Sequence, residues 1–169
     1  MGIKIVIING MARCGKDTFM EMCSKIVPIR AYSTIDYFKK VAKEQFKWDE
    51  EKNEKGRKLL SDLKIAAINY NNLPVNMFCE YYDNLIANNS DVKILFCVCR
   101  DIVDIEQIKN TYSNITKTLL IENNRVPHIS TNEGDNNVYN FEYDYIVENN
   151  GTLEELEEAA KSFVEEILK

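Results

Sequence analysis

Apolar positions along this chain form two alternating kinds of pattern. Nearly continuous apolar runs at Ile3–Asn9 and Val92–Cys99 predict strands that are buried on both faces of a sheet. Shorter runs at Ile29–Tyr32, Ile115–Ile121 and Tyr143–Val147 predict three further strands. Because helical patterns separate these runs, we expect a mostly parallel sheet with helices packed on it.

The segments between the runs carry apolar residues at the three- and four-residue spacing of helices. Ser33 and Asp36 have the spacing of a capping box, and so do Thr152 and Glu155, which predicts helix starts at Ser33 and at Thr152. The predicted helices cover about 16–27, 33–46, 59–70, 74–86, 102–112 and 152–167.

A glycine-containing loop joins the first strand to the first helix, with the sequence G-M-A-R-C-G-K-D-T over 10–18. Gly10, Gly15 and Lys16 match the G-x-x-x-x-G-K spacing of a phosphate-binding loop. Glycines let backbone N–H groups curve around an anion, and the helix that follows offers its own unpaired N–H groups. Lys16 adds a full positive charge for terminal phosphates. We therefore expect a nucleoside triphosphate to bind here; the alternative is an ordinary glycine-rich turn.

The residues after Lys16 suggest a place for a magnesium ion. Asp17 and Thr18 both offer the oxygen ligands that Mg²⁺ prefers, directly or through water. The alternative for Asp17 is an acid that only favours the positive end of the helix dipole. The nucleotide-binding residues predicted in the loop are Gly10, Ala12, Arg13, Cys14, Gly15, Lys16, Asp17 and Thr18.

The few arginines of the chain are candidates for phosphate contacts, since a guanidinium offers two-pronged donor geometry. Arg100 follows the second strong strand, at the sheet edge where ligands of open α/β folds collect. Its alternative is a surface ion pair with Asp101 or Asp104. Arg125 lies in a polar loop and contacts either phosphate or solvent. Arg57 precedes an apolar helix and faces either the phosphoryl acceptor or solvent.

The stretch from Glu122 to Asn140 is polar and without periodicity, which predicts a lid-like loop at about 122–140. The single histidine, His128, lies in it, and we expect a loop or packing role for it rather than base catalysis. A chain of 169 residues suits one domain. The patterns together predict an α/β protein with a three-layer α/β/α P-loop NTPase fold and a mostly parallel sheet.

Composition narrows the possible partners and the compartment. The net charge is −6 and no block of Lys and Arg interleaves with aromatic residues, so nucleic-acid polymers are poor candidates. Five cysteines without a C-x-x-C pair, beside one histidine, favour free thiols in a reducing cytoplasm over a zinc site. No apolar run is long enough to span a membrane, and we expect no signal peptide because a strand begins at once.

The loop, with G-K-D-T at its end, resembles that of the deoxynucleoside monophosphate kinases of phage and bacterial type. Three other segments resemble the same family in order and spacing, namely Tyr32–Leu60, Arg100–Lys109 and Asp144–Leu156. The chain differs from the family at Val98, where an acid associated with the Mg²⁺ water shell is usual. It differs again after His128, where the family tends to show H-x-S-E.

The resemblance implies ATP and Mg²⁺ as cosubstrates and phosphorylation of a nucleoside monophosphate. It implies that Lys16, Arg100 and Arg125 contact phosphates during catalysis. It also implies a helical acceptor-side region at about 33–90, in which Ser33, Asp36 and Lys39 lie beside the acceptor together with Arg57. Two other functions stay open, a P-loop kinase for another phosphorylated metabolite or coenzyme precursor, and a non-catalytic nucleotide-binding module.

Overall fold

The sheet is parallel throughout the residues that the computed structural model describes, which are 2–51, 53–127 and 137–169. Its strands follow the order β2-β3-β1-β4-β5, and each neighbouring pair is parallel. The prediction of an α/β fold with a parallel sheet is confirmed. The strands are β1 (Lys4–Asn9), β2 (Ile29–Ser33), β3 (Ile94–Val98), β4 (Thr116–Glu122) and β5 (Tyr145–Glu148).

Helices cover both faces of the sheet and complete three layers. Their bounds are α1 (Lys16–Ser24), α2 (Asp36–Phe46), α3 (Glu54–Asn71), α4 (Leu73–Ala87), α5 (Ile102–Thr111) and α6 (Leu153–Ile167). In β1, alternate residues serve opposite faces: Val6 packs in the core shared with α1 and α6, and Ile7 in the core shared with α4 and α5. Both faces of β1 are therefore apolar, which explains its uninterrupted apolar run.

The predicted helix start at Ser33 is wrong. Ser33 is the last residue of β2 and pairs with Val98 of β3, and the Thr34 N–H then donates to the Val98 carbonyl at 3.2 Å. Strand pairing thus extends through Ser33 to the Thr34 N–H, and the chain enters the helix only after Ile35. Helix α2 begins at Asp36 after Ile35, and no side chain caps it.

Other element boundaries moved by a few residues. Helix α1 ends at Ser24 rather than Val27. Helix α3 begins at Glu54, five residues before the predicted start at Leu59, because the Asn53 side chain accepts a hydrogen bond from the Gly56 N–H at 2.8 Å and caps it. Of the predicted lid loop, 123–127 has no helix or strand, and 128–136, with His128, lies outside the described residues.

The cysteines are free thiols, as the composition of the chain predicts. All five cysteines are free, and Cys14, Cys23, Cys97 and Cys99 are buried. Burial raises the pKa of the Cys23 thiol to about 12, so it is neutral at neutral pH.

Within 2–51, 53–127 and 137–169, no helix combines the length and the apolar character that crossing a bilayer requires.

The predicted capping box at the start of α6 is present, and we expect its loss to be measurable. The Glu155 N–H donates to Thr152 Oγ1 at 3.3 Å, and the Thr152 N–H donates to Glu155 Oε2 at 2.8 Å. Thr152→Ala should lower the free energy of unfolding by about 1 kcal/mol, as is typical for loss of an N-cap side chain. Urea denaturation of this variant and of Thr152→Ser, which keeps the hydroxyl, measures it. Equal losses in both variants would contradict the capping role.

Candidate active site

The phosphate-binding loop begins where β1 leaves the sheet, and Asn9 fixes this exit. Asn9 is buried; its Oδ1 accepts a hydrogen bond from the Gly10 N–H at 2.8 Å, and its Nδ2 donates to the Tyr143 hydroxyl at 2.8 Å. The Tyr143 hydroxyl in turn donates to the Val138 carbonyl at 2.7 Å. The start of the loop is therefore held to the chain that precedes β5.

Both glycines of the motif are required by conformation and by space. Gly10 has φ of 141°, and a Cβ on it would lie 2.5 Å from the Ile121 carbonyl oxygen and 2.7 Å from Cys14 Sγ. Gly15 has φ of 103°, and a Cβ on it would collide with the side-chain amide of Asn149. Residues with a Cβ rarely adopt these φ values, and the surrounding atoms leave no space for a Cβ. Local geometry therefore requires glycine at both positions.

Lys16 begins α1 and folds its side chain back over the loop. Its Nζ donates to the carbonyls of Gly10 at 2.7 Å and Met11 at 2.8 Å, and it lies 3.6 Å from Cys14 Sγ. Burial lowers the pKa of Lys16, and the positive charge of Arg100 acts in the same direction. The ammonium is thus under-compensated inside the loop, and an anion placed there would raise its pKa again.

Arg100 reaches the same edge of the sheet through the pairing of β1 with β3. Ile8 is in register with Val98, and the Cys99 N–H donates to the Ile8 carbonyl at 3.4 Å. The half-buried Arg100 therefore follows β3 at the level where Gly10 follows β1. The structure brings this predicted phosphate contact to the loop.

Asn149 belongs to the site although sequence reasoning missed it. It follows β5, its Nδ2 donates to the Cys14 carbonyl at 2.9 Å, and its backbone N–H donates to the Glu122 carbonyl at 2.7 Å. It therefore ties the phosphate-binding loop to the ends of β4 and β5. Its place just after a predicted strand was the available signal, because polar residues at carboxyl strand ends meet at one edge.

Arg125 is exposed and is engaged with the connection between β5 and α6. Its guanidinium donates to the Asn149 carbonyl at 3.2 Å and to the Gly151 carbonyl at 3.3 Å. In this arrangement Arg125, which follows β4, links its own loop to the connection between β5 and α6. A contact between Arg125 and phosphate stays a prediction.

A buried lysine and two aspartates form a second charged group at this edge, which sequence reasoning also missed. Lys64 of α3 is 5% exposed, pairs with Asp104 at 2.9 Å and with Asp101, and donates to Thr34 Oγ1 at 3.0 Å. The Cys99 thiol lies 3.9 Å from the Asp104 carboxylate. We call these five residues the Lys64 cluster. Asp101 and Asp104, the suggested ion-pair partners of Arg100, are paired with Lys64.

The pKa values of the cluster show that its charges compensate each other. Burial alone would lower the pKa of Lys64, but the carboxylates of Asp101 and Asp104 outweigh it and raise that pKa. Burial raises the pKa of Cys99 to about 12, so this thiol is neutral and the two carboxylates supply the negative charge. Burial also raises the pKa of Asp104, which Lys64 partly offsets.

The predicted acceptor-side residues lie beyond the carboxyl end of β2. Ser33 ends this strand and is half-buried, whereas Asp36 and Lys39 are exposed on α2 and form an ion pair at 2.7 Å. Arg57 is half-buried in the first turn of α3. Their contact with an acceptor stays a prediction.

Asp17 and Thr18, the predicted magnesium ligands, stand in the first turn of α1 next to Lys16. Asp17 is exposed and Thr18 is half-buried. Among the described residues, three potential metal ligands converge at Cys99, Asp101 and Asp104, but the Lys64 ammonium already lies among them. A magnesium site at Asp17 and Thr18 stays a prediction.

No family model and no curated protein matches this sequence. Solved kinases resemble the structure over nearly the whole of both chains. A sugar kinase from Janibacter sp. HTCC2649 has a TM-score of 0.56 at 11% identity, covering 96% of this chain and 95% of its own. The dephospho-CoA kinase from Campylobacter jejuni has a TM-score of 0.54 at 12% sequence identity, and the match covers 97% of each chain. The chain has a P-loop kinase fold. The Mycobacterium tuberculosis APS kinase in complex with AMPPNP and APS has a TM-score of 0.50 at 8% sequence identity. The match covers 97% of this chain and 96% of that kinase.

The bond from Asn149 to the phosphate-binding loop leads to a testable expectation. Asn149→Ala removes one hydrogen bond to the Cys14 carbonyl, a bond whose net value is about 1 kcal/mol. We therefore expect ATP affinity to fall by about fivefold at most in calorimetric titration, and the melting temperature to fall by about 2–4 °C at most. Asn114→Ala, at an exposed asparagine before β4, is the control and should bind as the wild type does. Unchanged ATP affinity in Asn149→Ala would show that the loop holds its shape without this bond.

Proposed function

We propose that this chain is an ATP-dependent kinase that transfers the γ-phosphoryl group to a nucleoside or deoxynucleoside monophosphate. The observation that carries the proposal is the convergence of Lys16 and Arg100 on one glycine-lined loop at the carboxyl edge of the sheet. The P-loop kinase fold supports it, and the resemblance of the G-K-D-T loop to deoxynucleoside monophosphate kinases supplies the acceptor class.

The residues can perform phosphoryl transfer because this chemistry needs positioning and charge neutralisation rather than a covalent intermediate. The backbone N–H groups of 10–18 would hold the phosphates, and Lys16 would exchange its two carbonyl acceptors for phosphate oxygens. Asp17 and Thr18 would hold Mg²⁺, which neutralises charge developing on the bridging oxygens when it is bound. Arg100 would add positive charge at the transferred group, and Arg125 would do the same on exchanging the Asn149 and Gly151 carbonyls for phosphate oxygens.

The acceptor would lie between the carboxyl end of β2 and helices α2 and α3. This region offers Ser33, Asp36, Lys39 and Arg57, of which the two cations suit an acceptor that is already phosphorylated. The free thiols and the lack of a polybasic patch support action on small nucleotides in the cytoplasm rather than on a nucleic-acid polymer.

A second candidate keeps the kinase chemistry and changes the acceptor. The three solved kinases above are named for a sugar, for dephospho-CoA and for APS, so this fold serves unrelated acceptors. A coenzyme precursor or another phosphorylated metabolite is therefore the alternative to a nucleoside monophosphate.

The test is ADP release with ATP and Mg²⁺ against a panel of nucleoside and deoxynucleoside monophosphates, extended to dephospho-CoA, APS and sugar phosphates. We expect a signal with one or a few monophosphates that disappears in Lys16→Met. A signal only with the extended compounds would move the assignment to the second candidate. ATP binding with no turnover on any compound would contradict the kinase and favour a non-catalytic nucleotide-binding module.

A further inference from the structure

The Lys64 cluster joins four elements of the fold around a single buried ammonium. Thr34 comes from the end of β2, Lys64 from α3, Cys99 from the end of β3, and Asp101 and Asp104 from the start of α5. Helix α3 belongs to the region in which the acceptor is proposed to bind. The ammonium is therefore one point at which this helix is attached to the carboxyl edge of the sheet.

The cluster lies directly beside Arg100 along the chain. Cys99, before Arg100, is held to β1 by the hydrogen bond from its N–H to the Ile8 carbonyl. Asp101, after Arg100, is held to α3 by its ion pair with Lys64. The backbone that carries Arg100 is thus fixed on one side by the central strand and on the other side by Lys64.

Stability alone does not account for such an arrangement. A buried ion pair stabilises a fold no better than apolar residues of similar volume, because both charges lose their hydration. What it does add is a defined geometry, since the ammonium is satisfied only when Thr34, Asp101 and Asp104 are all in place. The turn after β3 therefore keeps one conformation as long as α3 is docked.

We propose that Lys64 is a positioning residue that holds Arg100 toward the terminal phosphate of the bound nucleotide and so connects α3 to the phosphate site. The inference rests on the proposed function in one respect, namely that ATP binds in the 10–18 loop. It does not depend on the identity of the acceptor.

The experiment is a double-mutant cycle read out by nucleotide binding rather than by turnover. Calorimetry with Mg²⁺ gives the ratio of ATP to ADP affinity for the wild type, Lys64→Met, Arg100→Met and the double variant. We expect Arg100→Met to reduce this ratio by about tenfold or more, as for a lost hydrogen bond between charged groups. Lys64→Met should cause a reduction of similar size, and the double variant should lose no more than Arg100→Met alone.

Matched variants separate positioning from general stability. Lys58→Met makes the same change at an exposed lysine of the same helix that pairs with Asp62, and it should keep the wild-type ratio. If Lys64→Met does not fold, Asp101→Asn replaces it in the cycle, because it weakens the ion pair next to Arg100 and leaves Lys64 paired with Asp104. The same non-additive loss is expected.

The outcomes distinguish this inference from the proposed function. A folded Lys64→Met or Asp101→Asn with an unchanged ATP-to-ADP ratio, or losses that add to that of Arg100→Met, would overturn the positioning role alone. A wild type that binds neither nucleotide would overturn the proposed function, and the positioning role with it.

Discussion

Lys16→Met is expected to lower the turnover of the proposed phosphoryl transfer by about 10²–10³-fold, the scale observed when one preorganised charge contact is removed. Methionine keeps most of the length of the side chain and removes only the ammonium. The loss should fall mainly on kcat, because the charge that develops on the transferred phosphoryl group is what the ammonium stabilises.

The fold should tolerate this change. The two hydrogen bonds from Lys16 to the Gly10 and Met11 carbonyls are lost, but so is an ammonium whose pKa burial lowers. These effects oppose each other, so we expect the free energy of unfolding to change by less than about 1 kcal/mol. Lys25→Met, at the exposed lysine after α1, should keep full turnover. Full turnover in Lys16→Met as well would exclude the loop as the active site.

Lys64→Met is expected to lower the free energy of unfolding by about 3–5 kcal/mol, as is typical when one partner of a buried ion pair is removed. The variant leaves two carboxylates close together, and Asp104 is only 1% exposed. Such a loss is a large part of the total stability of a domain of this size. Chemical denaturation measures it, and Lys58→Met should cost no more than about 1 kcal/mol because its ion pair is exposed.

The loss of unfolding free energy caused by Lys64→Met should depend on pH. In the wild type the raised pKa of Lys64 means that its contribution is complete below the ordinary lysine pKa of about 10.4 and is lost only as the pH rises through the folded value. In the variant, Asp104 lacks its counter-charge and its already raised pKa rises further, so it takes up a proton as the pH falls. The difference in unfolding free energy should therefore shrink as the pH falls from 7. A difference that grows as the pH falls would contradict this electrostatic account.

The parts of the fold that the sequence predicts are those that depend on local patterns. The strands follow from apolar runs such as Ile3–Asn9, and the loop follows from Gly10, Gly15 and Lys16, whose spacing is required by the backbone itself. The helix start at Ser33 was wrong because the pairing of β2 with β3 continues through Ser33, so a strand end stands where a helix cap was expected. Local spacing cannot show which of the two prevails.

The residues that were missed act across long stretches of chain. Asn149 contacts Cys14, which is 135 residues away in sequence, and no local pattern records such a contact. Lys64 did carry a signal, since it occupies the helical position between Leu60 and Ile68 where an apolar residue is expected. A charge on the apolar face of a helix is a reason to look for a buried partner.

The parallel direction of the strands also determines where a label or an inserted peptide can be placed on this protein. The loop, Arg100, the Lys64 cluster and Asn149 all follow the carboxyl ends of strands, whereas the exposed turn at 88–91 leads back to the amino end of β3. A five-residue strand separates the two edges by about 17 Å. A fluorescent label or an inserted peptide at 88–91 would therefore lie on the side opposite to the proposed nucleotide site. The same position could be used to attach the protein to a surface.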